Sequence, residues 1–85
     1  MNNLTYIDKE SETDVKFGEW IRNHRMAMGL SERDAARALE IPIERLCELE
    51  SGKARKGVNT TEAVSLAVTY KLDYQDIVRR ACGNA

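Results

Sequence analysis

The stretch that decides the fold is Gly29-Leu30-Ser31-Glu32-Arg33-Asp34-Ala35-Ala36-Arg37-Ala38-Leu39-Glu40-Ile41, followed by Leu46, Leu49, Glu50 and Gly52. Gly29 is placed to end a preceding helix in a left-handed conformation. Ser31 opens the next helix, with Asp34 three residues on in a capping-box-like arrangement. Ala35, Ala36 and Leu39 form the inner face of that helix, and the two alanines let another helix approach closely. A further helix runs from Pro42 or Ile43 to Glu50, with Leu46 and Leu49 inward and Gly52 at its end. Proline is tolerated at such a start because its missing N–H would be unpaired there anyway.

Two short helices joined by a tight turn have the layout of a helix-turn-helix, whose second helix usually enters the DNA major groove. Working outward, a first helix is expected over Val15–Met28, with Phe17, Ile21 and Met28 on one face and Trp20 and His24 beside it. Asn59 with Glu62 can open a fourth helix, in which Ala63, Leu66, Ala67 and Tyr70 follow helical spacing. Asp73 with Asp76 can cap a fifth, with Ile77 and Val78 inward. No alternating strand of useful length follows residue 15. The fold class is therefore all-α, a compact bundle of about five short helices around one core. Its expected buried set is Phe17, Ile21, Leu30, Ala36, Leu39, Ile41, Leu46, Leu49, Leu66 and Ile77.

The bulk numbers bound the rest. Eighty-five residues make one small domain. The domain is expected over residues 15–82, preceded by a mobile acidic arm over 1–14 that carries Asp8, Glu10, Glu12 and Asp14. Leu4, Tyr6 and Ile7 in that arm come close to alternation, which leaves a short strand or a dimer contact open. The formal net charge of −1 gives no global basic field to draw a polyanion. Cys47 and Cys82 lack a CxxC pattern and His24 is the single histidine, so reduced thiols in a cytoplasmic protein are expected, with no metal site and no cofactor. No apolar run approaches the roughly 20 residues of a membrane span. The acidic N-terminal stretch lacks the basic start of a signal peptide. No nucleophile elbow, metal motif or phosphate-cradling glycine loop is present, and an enzyme is not expected.

Phe17-Gly18, Ile21-Arg22, Arg25, Gly29-Leu30-Ser31, Ala36, Leu39, Ile41, Leu46, Leu49-Glu50 and Gly52 together resemble the lambda-repressor-like (Cro/C1-type, XRE) helix-turn-helix family. The Ala63/Leu66/Ala67 and Leu72/Ile77 stripes match its fourth and fifth helices, and the resemblance covers roughly residues 16–80. It implies a sequence-specific DNA-binding transcriptional regulator with double-stranded DNA as partner. It also implies a structural ion pair between Arg25 and Glu50, and a half-buried carboxylate does need a cation.

The positions that touch DNA in such proteins hold Glu32, Ile43, Glu44, Cys47 and Glu48 here, three of them carboxylates. A carboxylate is repelled by phosphates and can accept a hydrogen bond from cytosine N4. Glu40 adds negative charge in a turn where the family often has glycine, and Pro42 stands where it often has Ser or Thr. Backbone-holding cations are available in Arg33, Arg37, Arg45, Lys53, Arg55 and Lys56. The alternative is a protein-interaction module, partner-bound regulator or antitoxin on the same fold, binding through Ile43, Glu44, Glu48 and Trp20; Trp20 serves as an anchor if exposed, the other placement being a ring folded against the arm or the fifth helix. A homodimer is open under either reading.

Overall fold

Helix α1 runs from Glu12 to Ala27 and carries Glu12 and Asp14 in its first turn and His24 and Arg25 in its last. Both charge placements favour the helix dipole. The acidic residues nearest the domain therefore begin the helix rather than end an arm, and α1 starts three residues earlier than spacing alone indicates. The computed structural model describes residues 12–54 and 57–83. The remainder of the expected arm, including Leu4, Tyr6 and Ile7, lies outside the described residues.

Met28 is a second correction. The helix has ended by then, and Met28 sits 46% exposed in the turn. Gly29 follows at φ +73°, the left-handed cap expected of it. Helix α2, Glu32–Leu39, starts where the Ser31 Oγ accepts the Asp34 N–H at 3.0 Å. It stops at Glu40, which adopts φ 61° and ψ 42° so that its N–H reaches the carbonyls of Ala36 and Arg37. Helix α3, Ile43–Ser51, follows after Pro42, which supplies no side-chain cap bond, and ends at Gly52, φ 79°.

Helix α4, Thr60–Tyr70, is held by a complete capping box. Asn59 Oδ1 accepts the Glu62 N–H at 2.7 Å and Glu62 Oε1 accepts the Asn59 N–H at 3.0 Å. Helix α5, Tyr74–Ala81, starts at Asp73, whose Oδ1 accepts the Gln75 N–H at 3.0 Å. Asp76 takes no part in that cap. It pairs instead with Arg79 at 2.9 Å and Arg80 at 3.4 Å. The described residues contain helices and turns and no strand, so the fold is all-α.

Helix α1 packs on α3 and α5, α2 on α3 and α4, and α4 on α5. The core between them holds Phe17, Ile21, Ala35, Ala36, Leu39, Leu46, Ala63, Leu66, Tyr70 and Ile77, with Leu49 buried beside it. Leu30 and Ile41, expected inside, are only partly buried against its edge. Val78 is 39% exposed, because Ile77 already takes the inward position of α5. Each fully buried Leu or Ile contributes about 1.5–3 kcal/mol relative to exposure. Leu46 and Ile21, both fully buried, thus fix the rotation of α3 and α1 about their axes.

Gly18 sets how closely those two helices approach. A Cβ there would lie 2.5 Å from the carbonyl oxygens of Leu49 and Glu50, so the α1 backbone rests directly on the last turn of α3.

Candidate functional site

With Leu46, Leu49 and Glu50 inward, helical geometry turns the intervening positions of α3 outward. Ile43, Glu44, Cys47 and Glu48 are exposed, Ile43 by 37%. Glu32 and Arg33 open α2, and Arg37 lies one turn further; all three are exposed. Lys53 is exposed just after Gly52, while Arg55 and Lys56 lie outside the described residues. The fold thus brings an apolar side chain, a thiol and a set of carboxylates onto α3, with cations on α2 and immediately after α3.

Several features fix the chemistry of this surface. Cys47 stays exposed, but partial desolvation against the helix surface, with the carboxylates of Glu32, Glu50 and Glu44 around it, pushes its thiol up. A thiol held protonated is a poor nucleophile and metal ligand. Cys47 and Cys82 are both unbridged, and no group of three or more His, Cys, Asp or Glu able to hold a metal occurs among the described residues. Among the described residues no helix is long and apolar enough to cross a membrane. Glu40 also faces solvent in a left-handed conformation that costs a residue with a Cβ roughly 1–2 kcal/mol.

Arg25 and Glu50 meet as a two-pronged pair. Arg25 Nε donates to Glu50 Oε2 at 2.7 Å and Nη2 to Oε1 at 3.1 Å, while Nη1 donates to the Leu30 carbonyl at 2.9 Å. Their side chains are 9% and 6% exposed. Its hydrogen bonds to the Glu50 carboxylate hold the guanidinium more firmly protonated, outweighing the burial that opposes it. The pair ties α1 and the turn after it to the end of α3.

Arg45 sits differently from what the sequence indicates, whereas Trp20 takes the packed one of its two expected placements, against the fifth helix. Arg45 was expected among the phosphate-holding cations. It is half-buried, and its Nε donates to Glu62 Oε2 at 2.7 Å. Burial raises the Glu62 pKa, but the Arg45 hydrogen bond and the Asn59 N–H outweigh it and leave the carboxyl below its ordinary value. The stabilisation this carries is present above the ordinary carboxyl range and is lost as pH falls through the depressed value. Trp20 is half-buried rather than a free anchor. The Arg80 guanidinium lies 4.4 Å from its ring centroid, with His24 edge-on at 5.2 Å.

The fold is similar to two solved structures of the clp gene regulator ClgR from Corynebacterium glutamicum. One has 25% identity and a TM-score of 0.69, over 88% of this chain and 78% of that one. The other has 27% identity and a TM-score of 0.66, over 87% of this chain and 94% of that one. No family model matches the sequence. No curated protein matches it either.

Proposed function

We propose that the chain is a DNA-binding transcriptional regulator of the lambda-repressor-like helix-turn-helix type. The observation that carries this is the α2–turn–α3 unit, outward-facing on a fold shared over most of its length with a gene regulator. In this reading α3 enters the major groove and Glu32, Ile43, Glu44, Cys47 and Glu48 face the bases. Glu44 and Glu48 accept from cytosine N4, and Ile43 packs on thymine methyls. Arg33, Arg37 and Lys53, with Arg55 and Lys56, hold phosphates. The protein acts by binding, in the cytoplasm, and not as an enzyme. A homodimer would place two copies of α3 one DNA turn apart.

A second reading draws on a specific observation, the exposed Ile43 flanked by the exposed carboxylates of Glu44 and Glu48. That surface suits a basic, partly apolar protein segment. Titration of wild type and the Glu44→Gln/Glu48→Gln variant against random duplex at low salt separates the two. If DNA is the partner, wild type binds in the non-specific range of about 10⁻⁴–10⁻⁶ M. The variant then binds more tightly overall, or loses base preference at defined positions. Absence of binding by both forms rejects the DNA reading in favour of the protein partner.

A further inference from the structure

Arg45 leaves the outward row of α3 and reaches across to α4. Besides the Nε bond, its Nη2 donates to Glu62 Oε1 at 3.0 Å and to the Gly57 carbonyl at 2.7 Å, and Nη1 reaches Glu48 at 3.4 Å. Glu62 is itself fixed by its capping box with Asn59. One guanidinium therefore joins three parts of the chain: α3, the backbone just ahead of α4, and the first turn of α4. A planar fork on a carboxylate fixes direction as well as distance, which a lysine ammonium does not do.

The place of this fork matters. The far end of α3 is already held to α1 by the close approach at Gly18 and by the Arg25–Glu50 pair. The near end has no side-chain hold from its own turn, since Pro42 makes no cap bond. Arg45 is the side chain that ties this near half to α4. Releasing it toward a phosphate would strand Glu62, whose side chain is 8% exposed, as an uncompensated buried charge.

We propose that Arg45 is a positioning residue and not a DNA ligand. With Glu62 it braces α3 against the first turn of α4, and so holds the angle at which Glu44, Cys47 and Glu48 meet the bases. The inference rests on the DNA-binding reading above.

The test uses two duplexes: one selected by the wild-type protein from a random-sequence pool, and a random duplex of equal length. Arg45→Gln, Arg45→Lys and Glu62→Gln are compared with wild type across a salt series, after thermal melts show each folded at the assay temperature. Each variant is expected to lose its preference for the selected duplex by about tenfold, the size of one spoiled base contact. Affinity for random duplex and its salt dependence should stay near wild type. Glu62→Gln is decisive because it removes a negative charge. Were only electrostatics at work, it would tighten binding to both duplexes.

A salt slope lowered by about 1 in Arg45→Gln on both duplexes, with Glu62→Gln neutral or tighter and Arg45→Lys like wild type, would make Arg45 a phosphate ligand and overturn the proposal. Retained preference in all three variants would also overturn it while leaving the DNA reading intact. A wild type that binds neither duplex rejects the DNA reading itself, and the positioning role with it.

Discussion

Gly18→Ala sets two effects of opposite sign against each other. Gly18 lies inside α1, where alanine is favoured over glycine by about 1 kcal/mol on helix propensity alone. The added Cβ would lie 2.5 Å from two carbonyl oxygens and 2.7 Å from the carbonyl carbon of Glu50. Carbon–oxygen contacts settle at about 3.3–3.6 Å, so the two backbones must part by about 0.8 Å or more. Neither neighbour is a flexible side-chain tip that could swing aside. Overpacking of this kind costs about 1–3 kcal/mol, and rigid backbone places it at the upper end. Parting α1 from α3 also stretches the Arg25–Glu50 bonds, which span the same interface. After the propensity gain is subtracted, a net loss of about 2 kcal/mol is expected, or about 8–16 °C in Tm for a domain of this size. Thermal unfolding followed by far-UV circular dichroism measures it directly, with urea unfolding as the cross-check. A Tm equal to or above wild type would show that α1 does not rest on the backbone of α3.

Further substitutions test other parts of the structure. Glu50→Gln leaves the buried Arg25 without its counter-charge and should cost about 3–5 kcal/mol, whereas Arg25→Met/Glu50→Leu should recover most of it; equal stability of all three forms would mean the pair is wet. Glu40→Gly relieves the left-handed strain and removes a negative charge from a helix C-terminus, so a gain of about 0.5–1 kcal/mol is expected in urea unfolding, and a loss would contradict the conformation of the turn. Tyr70→Phe removes a buried hydroxyl with no hydrogen-bond partner among the described residues, and should be neutral or stabilising by about 1 kcal/mol. Burial, with the nearby Glu50 charge, pushes the Tyr70 phenol up to about 12. The neutral phenol's stabilisation is complete below the ordinary value and lost as pH rises through the shifted one, so Tyr70→Phe should also flatten the alkaline decline in Tm.

The helices and their caps were legible because they are local. Ser31, Asn59 and Asp73 announce helix starts within three residues, and Leu46 with Leu49 fixes the inward phase of α3. Met28 and Val78 were misplaced for a related reason. Spacing continues an apolar face past the point where a helix ends or where a neighbour such as Ile77 has filled the core. The Arg25–Glu50 pair came through a resemblance spanning 25 residues of separation, beyond the reach of local spacing. Arg45–Glu62 had no signal at all; for Trp20 the packing against the fifth helix was legible, but not Arg80 as the side chain that meets it. Each contact joins two helices whose relative placement exists only after the core has formed, and an arginine on an outward row reads from sequence as a surface charge. The left-handed Glu40 shows the limit from the other side. The turn requires a conformation suited to glycine, and the sequence supplies a glutamate there.

The central proposal, that α3 and its flanks form a DNA-binding surface, is tested most directly by mapping where duplex DNA touches the folded protein. Backbone amide NMR shifts of the full chain, followed while random duplex is added at low salt, give that map residue by residue. The expected result is a contiguous set of shifts on the first turns of α2 and α3, at Cys47 and Glu48, and at Lys53, fading as salt is raised. Little change is expected on the exposed face of α5 around Tyr74 and Val78. Shifts confined to α5 and the outer face of α4, or no shifts at any DNA concentration reached, would contradict the DNA-binding account.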